Sequence, residues 1–340
     1  MAKILISKAR PARRRDAAKA SADYGASAEP DWRAVDWRAH QHDAEILGSR
    51  LHYVDLGEAG EESPVVFIHG LGGSWQNWLE NLPAAARHRR AIGLDLPGFG
   101  WSDPPAGEIS IPGFADVVEA LCDHLDLGPV ALVGNSMGGF TSAETAIRHP
   151  ARVERLVLVD AAGISTSELM RRPARAMAKM LTLGTTARAR RTSPGDGRVF
   201  LPARPGALHA AVATIARHPT RLKRDLLAEQ MVGRGTEPAF LASLDAIMDY
   251  DFRDRLPEIA CPTLVVQGAD DMLVPASDAD EFNRLIPDSR VVLLEDTGHV
   301  PMLERPAVFN ESLFSFLAET GGHRAAPVDS VETEPATAAE

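Results

Sequence analysis

Short runs of branched apolar residues recur along the chain, separated by stretches too long for hairpin turns. Residues 65–68, 90–94, 130–133 and 155–159 are such runs, and 263–267 and 290–294 resume the pattern further on. A strand covered on both faces reads this way, because neither face accepts a polar side chain. Spacers long enough for crossover helices then predict a doubly wound, mostly parallel sheet. Ahead of the runs, residues 45–47 and 50–55 flank Gly48-Ser49, which predicts an opening hairpin. The whole amounts to an α/β fold with about eight strands.

Between residues 164 and 255 the strand pattern stops. Helix-like pieces (ELMRRPARAMAKML, GALHAAVATIARHP, PAFLASLDAIMDYD) are split there by SPGDG and LPARPG. The predicted organisation is an α/β core over 31–163 and 256–320, interrupted by a helical cap over 164–255. Residues 1–30 are basic and read as a flexible start. Residues 321–340, rich in Ala, Pro and acidic side chains, read as a disordered tail. A short tandem, DWRAV and DWRAH, is too brief for a repeat architecture, and its Trp32 and Trp37 are expected to pack against the body.

With 340 residues and 45% hydrophobic composition, the chain is long enough for one α/β domain carrying an insertion. A net charge of −11 disfavours general nucleic-acid binding, since no broad basic surface is available to neutralise phosphates. The charge is unevenly spread. Residues 164–255 hold sixteen Lys and Arg against nine Asp and Glu, a net +7, which leaves −18 on the remainder. That excess is either a solvated surface or a lid that draws in anionic groups, including a weak contact with a membrane surface through Arg171, Arg172, Arg190 and Arg191. Cys122 and Cys261 are far apart in apolar settings and read as buried thiols. The apolar cluster at residues 4–6 is far short of a signal-peptide core, so a cytoplasmic protein, peripheral to membranes at most, is expected. Composition says nothing of oligomeric state.

The chemistry is carried by Gly134-Asn135-Ser136-Met137-Gly138, which follows the run VALV and precedes the helix-like FTSAETAIRHP. A serine on so sharp a strand-to-helix turn is strained, and small neighbours relieve the crowding so that its hydroxyl can project over the strand ends. The helix behind it points a positive N-terminus at the site. Three further features join it. His69-Gly70-Leu71-Gly72-Gly73 follows the run VVFI and could present backbone N–H groups to an anion. Asp270-Asp271 follows the run TLVVQG, and His299 sits just past the run RVVLL.

Together these resemble the α/β-hydrolase fold, from roughly residue 45 to 317, including DLPGFGWSD at 95–103 and CPT at 261–263. The resemblance implies a Ser136, Asp271, His299 triad, with the Leu71 and Met137 N–H groups as the oxyanion hole and no cofactor or metal. The family places its acid three residues after a glycine, here Gly268, which favours Asp271 over Asp270. His69 is then expected to brace the oxyanion loop, and His149 and His218 to be helix-terminal. The aromatic pair Trp75 and Trp78 and the arginine-rich cap resemble esterases that take lipophilic acyl groups. Met170, Met177, Met180, Leu181 and Leu183 are core residues or an apolar substrate wall. The expected partner is therefore a small, lipophilic ester. The alternatives are a carbon–carbon bond hydrolase of ring-fission products, which GNSMGGF resembles, then a cofactor-free perhydrolase, or a non-enzymatic binding protein of the same fold. The ring-fission pattern carries a Gly-Pro-Gly loop and a tryptophan after the histidine, where this chain has Leu71-Gly72-Gly73 and Val300.

Overall fold

Leu47 and Gly48 take φ values of 50° and 79°, so the chain reverses there through a two-residue turn with both central residues left-handed. The turn joins β1 (Gln41–Ile46) to β2 (Ser49–Leu56), with Ile46 opposite Ser49. The structure is a computed structural model that describes residues 12–58, 60–165, 206, 209, 212–230 and 237–319. After the hairpin come β3 (Val65–Ile68), β4 (Ala91–Leu94), β5 (Val130–Asn135), β6 (Val153–Val159), β7 (Thr263–Gly268) and β8 (Ser289–Leu294). They form one eight-stranded sheet in the order β1-β2-β4-β3-β5-β6-β7-β8, parallel from β4 onward.

The unbroken apolar runs follow from cover on both faces. Ile68, Leu132, Leu158 and Val265 look toward Phe114, Phe140 and Phe282, which belong to α2 (Ile111–His124), α3 (Met137–Arg148) and α6 (Ser277–Leu285). Their neighbours Phe67, Val133, Val157 and Val266 pack with Trp78 and with Phe309 and Leu313 of α8 (Pro306–Leu317). The short α1 (Leu82–Ala85) and α7 (Pro301–Glu304) complete this second layer. Trp75 and Trp78 are buried, Trp78 with its ring 5.0 Å from Phe67, so the aromatic pair belongs to the core.

Strands β6 and β7 pair directly although residues 164–255 lie between them in the chain. The described part of that interval includes α4 (Arg224–Glu229) and α5 (Glu237–Asp249). Ala239 of α5 approaches so closely that a Cβ on Gly98 would come within 2.7 Å of its methyl group. The piece at 168–181, with its methionines, and Arg171, Arg172, Arg190 and Arg191 lie outside the described residues.

Of the stretch 1–30 expected to be flexible, residues 12–30 are instead packed on the body. Tyr24 is buried and its hydroxyl donates to Glu304, Gly25 N–H donates to the Glu304 carbonyl at 2.7 Å, and Arg305 pairs with Asp23 at 2.7 Å. Composition could not show this, because the partners are about 280 residues away. Trp32 is buried with its Nε1 on Glu80, and Trp37 lies 4.8 Å from the Trp75 ring, as expected of residues packed on the body. Both cysteines are free, and burial pushes each thiol up to about 12. No helix among the described residues is long and apolar enough to cross a membrane.

Candidate active site

Ser136 alone links the end of β5 to the start of α3, at φ 56° and ψ −115°. Such a backbone costs a non-glycine residue about 1–3 kcal/mol and persists only where neighbours over-determine it. Here the Ser136 N–H donates to Val159 O at 2.9 Å, and its carbonyl accepts from Phe140 and Ala162 N–H. The flanking glycines serve close approach more than backbone freedom. A Cβ on Gly134 would sit 2.2 Å from the Gly138 carbonyl, and one on Gly138 would sit 2.1 Å from that of Ile68. Removing both side chains lets α3 begin hard against the end of β3.

That contact also sets the loop after β3. A Cβ on Gly70 would lie 3.2 Å from the Ser136 Cβ, so the loop carrying Leu71 runs along the serine. Met137 is the first residue of α3, and its N–H has no acceptor inside the helix. Behind the loop His69 is fully buried. Its Nδ1 donates to Gly70 O at 2.8 Å and its Nε2 accepts from Leu96 N–H at 3.0 Å, a neutral ring bracing the loop. Burial holds the ring's pKa below the ordinary histidine value, so it stays uncharged.

The acid and the histidine arrive from the other side. His299 Nδ1 lies 2.7 Å from Asp271 Oδ2, with both side chains buried. The other Asp271 oxygen, Oδ1, accepts from Leu273 N–H at 2.6 Å and Val274 N–H at 3.1 Å. Burial by itself would raise the Asp271 carboxyl, but the nearby His299 and the hydrogen bonds from His299, Asp160 and Leu273 outweigh it and hold the group below its ordinary value. Its neighbour Asp270 meets Arg217 at 3.3 Å instead, and burial raises its carboxyl despite that cation.

Several residues that sequence reasoning passed over hold this arrangement. Asn135 Nδ2 donates to the carbonyls of Val159 and His299, each at 3.1 Å, and so ties the histidine's backbone to the elbow. The His299 N–H donates to Ile215 O at 2.8 Å, so the chain returning from the 164–255 interval touches the site. Glu304, fully buried, accepts from the N–H groups of Gly298, Val300 and Arg217 and from Tyr24, locking the histidine loop from behind. Burial raises its carboxyl to about 7 even so. Asp160, at the end of β6, lies against Asp271. The only signal for it was an acidic residue ending an apolar run. His149 directly follows α3 with Nε2 on Asp116, whereas His218 stands at the start of the short turn Pro219–Arg221, not at the end of a helix, with Nε2 on Asp296.

Asp160, Asp271 and His299 each bring one donor atom within 4.8 Å of the others, a set that could ligate a cation. A cation there would have to displace the bond between His299 Nδ1 and Asp271. The donors fit a hydrogen-bonded relay better. Such a relay orients an imidazole so that its other nitrogen is free to take a proton.

Over residues 63–306 the chain matches the alpha/beta hydrolase fold family. It is 32% identical over 282 residues to a 2-hydroxy-6-oxo-2,4-heptadienoate hydrolase of Pseudomonas putida, covering 78% of this chain and 92% of that one. A pimeloyl-[acyl-carrier protein] methyl ester esterase of Aeromonas hydrophila is 30% identical over 266 residues, covering 78% and 99%. Among solved structures, the enol-lactonase of Burkholderia xenovorans LB400 superposes with a TM-score of 0.61 at 25% identity, covering 82% of this chain and all of that one.

Proposed function

This chain belongs to the alpha/beta hydrolase fold family and is a hydrolase, and we propose that it cleaves a carboxylic ester with a lipophilic acyl group through a serine acyl-enzyme. The observation that supports this reading is the 2.7 Å bond between His299 Nδ1 and Asp271, with the histidine's backbone tied through Asn135 to the strained elbow that carries Ser136. With the Nδ1 proton held by the carboxylate, His299 Nε2 carries the lone pair. It removes the Ser136 proton as the hydroxyl attacks the ester carbonyl, then returns that proton to the leaving alcohol. The N–H groups of Leu71 and Met137 bind the oxyanion, each supplying roughly 3–4 kcal/mol in comparable sites. Water, activated by the same histidine, then releases the acid.

In this reading residues 164–255 form the cap over the site, and their basic excess adds a weak membrane-surface contact that salt would weaken. The identity to a dienoate hydrolase favours a second reading, since a 2-hydroxy-6-oxo-dienoate contains no ester and its hydrolysis must break a carbon–carbon bond. Val300, where that pattern carries tryptophan, is buried in the layer around Trp78 and supports the ester.

One panel tests both: esters of graded acyl length and a ring-fission dienone, with wild type and Ser136→Ala. Each added buried methylene is worth up to about 0.8 kcal/mol, so kcat/KM should climb several-fold per step to an optimum. Ser136→Ala should lower kcat at least about a thousandfold. Near-normal turnover by folded Ser136→Ala would refute the nucleophile. Efficient dienone cleavage with poor turnover of every ester would replace the ester reading by the second.

A further inference from the structure

Asp160 directly follows β6 in a left-handed backbone, φ 44°, and is fully buried. Its Oδ1 accepts from Gly268 N–H at 2.9 Å and from Gln267 Nε2 at 2.8 Å. Its Oδ2 is buried and meets no N–H or O–H donor among the described residues. The Asp271 carboxyl lies within 4.8 Å of that of Asp160, and Gln267 Nε2 spans the two, 2.8 Å from Asp160 Oδ1 and 3.4 Å from Asp271 Oδ2. Two carboxylates cannot both ionise at such a distance in a dry interior, so one proton is shared between them.

The partners decide which oxygen carries it. Asp271 accepts from two backbone N–H groups and is hydrogen-bonded to His299, whereas Asp160 accepts from one backbone N–H and one amide, with the His299 ring turned to Asp271. We propose that Asp160 is a permanently neutral carboxylic acid whose O–H donates to Asp271, making it a positioning residue that keeps Asp271 ionised for His299. The inference rests on Asp271 and His299 working as a pair in the proposed mechanism. Burial first, and the Asp271 charge second, raise the Asp160 carboxyl well above its ordinary value. Of the other charged or titratable groups around the pair, buried Glu304 adds to the rise, His299 lies within 4.8 Å of both carboxylates but bonds Asp271, and Asp278 feels the Asp271 charge and that of Arg253.

Neutrality gives the test its sign. In Asp160→Asn the amide oxygen can still accept from Gly268 and Gln267 while the amide N–H donates to Asp271. Activity should stay within about threefold, and the acid limb of the kcat/KM profile, which reports His299, should not move. Asp160→Ala removes the donor and should cost at least tenfold. In the infrared, wild type should show a protonated carboxyl stretch at pH 8 that is missing from Asp160→Asn. The difference spectrum separates it from Glu304 and needs no turnover, so it decides the proposal even if the ester chemistry is wrong or a variant is inactive. Three results would overturn the proposal: no such band, an acid limb about one pH unit lower in Asp160→Asn, as loss of an anion beside His299 would give, or wild-type activity in Asp160→Ala.

Discussion

Replacing Asp271 by Asn changes one oxygen to an amino group, and the structure dictates which way the amide must point. Leu273 and Val274 N–H groups both aim at Oδ1, at 2.6 and 3.1 Å. With the amino group turned toward them, two buried donors would lose their acceptor, at about 1–3 kcal/mol each, or about 2–6 kcal/mol together. Gln267 Nε2, at 3.4 Å from Oδ2, makes only a long contact on the other side, and the Asp160 carboxyl can turn its carbonyl oxygen to an amino group, so most molecules would keep the carbonyl on the Leu273 and Val274 donors. The amino group then faces His299 Nδ1, which must accept, and the ring proton moves to Nε2. A ring protonated at Nε2 cannot take a proton from Ser136. The loss in kcat should be roughly a thousand- to ten-thousandfold, with KM little changed and the fold intact, read with a chromogenic short-chain ester and far-UV circular dichroism. Asp270→Asn is the paired control. It breaks only a partly exposed contact with Arg217, worth at most about 1 kcal/mol, and should leave kcat within a few-fold. Asp271→Asn retaining a tenth of wild-type kcat, or Asp270→Asn losing more, would refute the tautomer argument.

Gly138→Ala would drive a methyl against the backbone carbonyls of Ile68 and His69, which are fixed in the sheet, so a loss of about 1–3 kcal/mol or more and a midpoint several degrees lower are expected. A thermal scan matching wild type would contradict the close approach. Glu304 gives a pH-dependent prediction. Its carboxyl is raised from an ordinary 4.5 to about 7, so its contribution to stability is full below about pH 4.5 and is lost as pH rises through about 7, amounting to about 3 kcal/mol. In urea titrations the stability advantage of wild type over Glu304→Gln should therefore shrink by about that amount between pH 4.5 and pH 8. Parallel pH dependences would show that Glu304 is ionised throughout.

The legible part of this protein is the part written in local order. Apolar runs marked every parallel strand to within two residues, because burial on both faces of the inner strands leaves little room for a polar position, while the edge strand β8 kept the pattern although it is partly exposed. The elbow was readable because its strain is relieved by immediate neighbours, Gly134 and Gly138. The β1 strand was less so: only its last positions alternate with the core, and it starts at Gln41, four residues before the apolar signal. Where two adjacent residues compete, as at 270 and 271, spacing could only favour one. The turn in which Asp271 N–H bonds Gly268 O, followed by the Leu273 and Val274 donors, aims one carboxyl at His299 and the other at Arg217. The tertiary structure alone decided the rest. Tyr24 finds Glu304 across 280 residues of chain, Asn135 finds His299 across 164, and Asp160 finds Gln267 across 107. Sequence periodicity records which face of an element is dry. The partner of a buried polar group depends on which strand ends the sheet order brings together, and that appears only when β6 and β7 lie side by side.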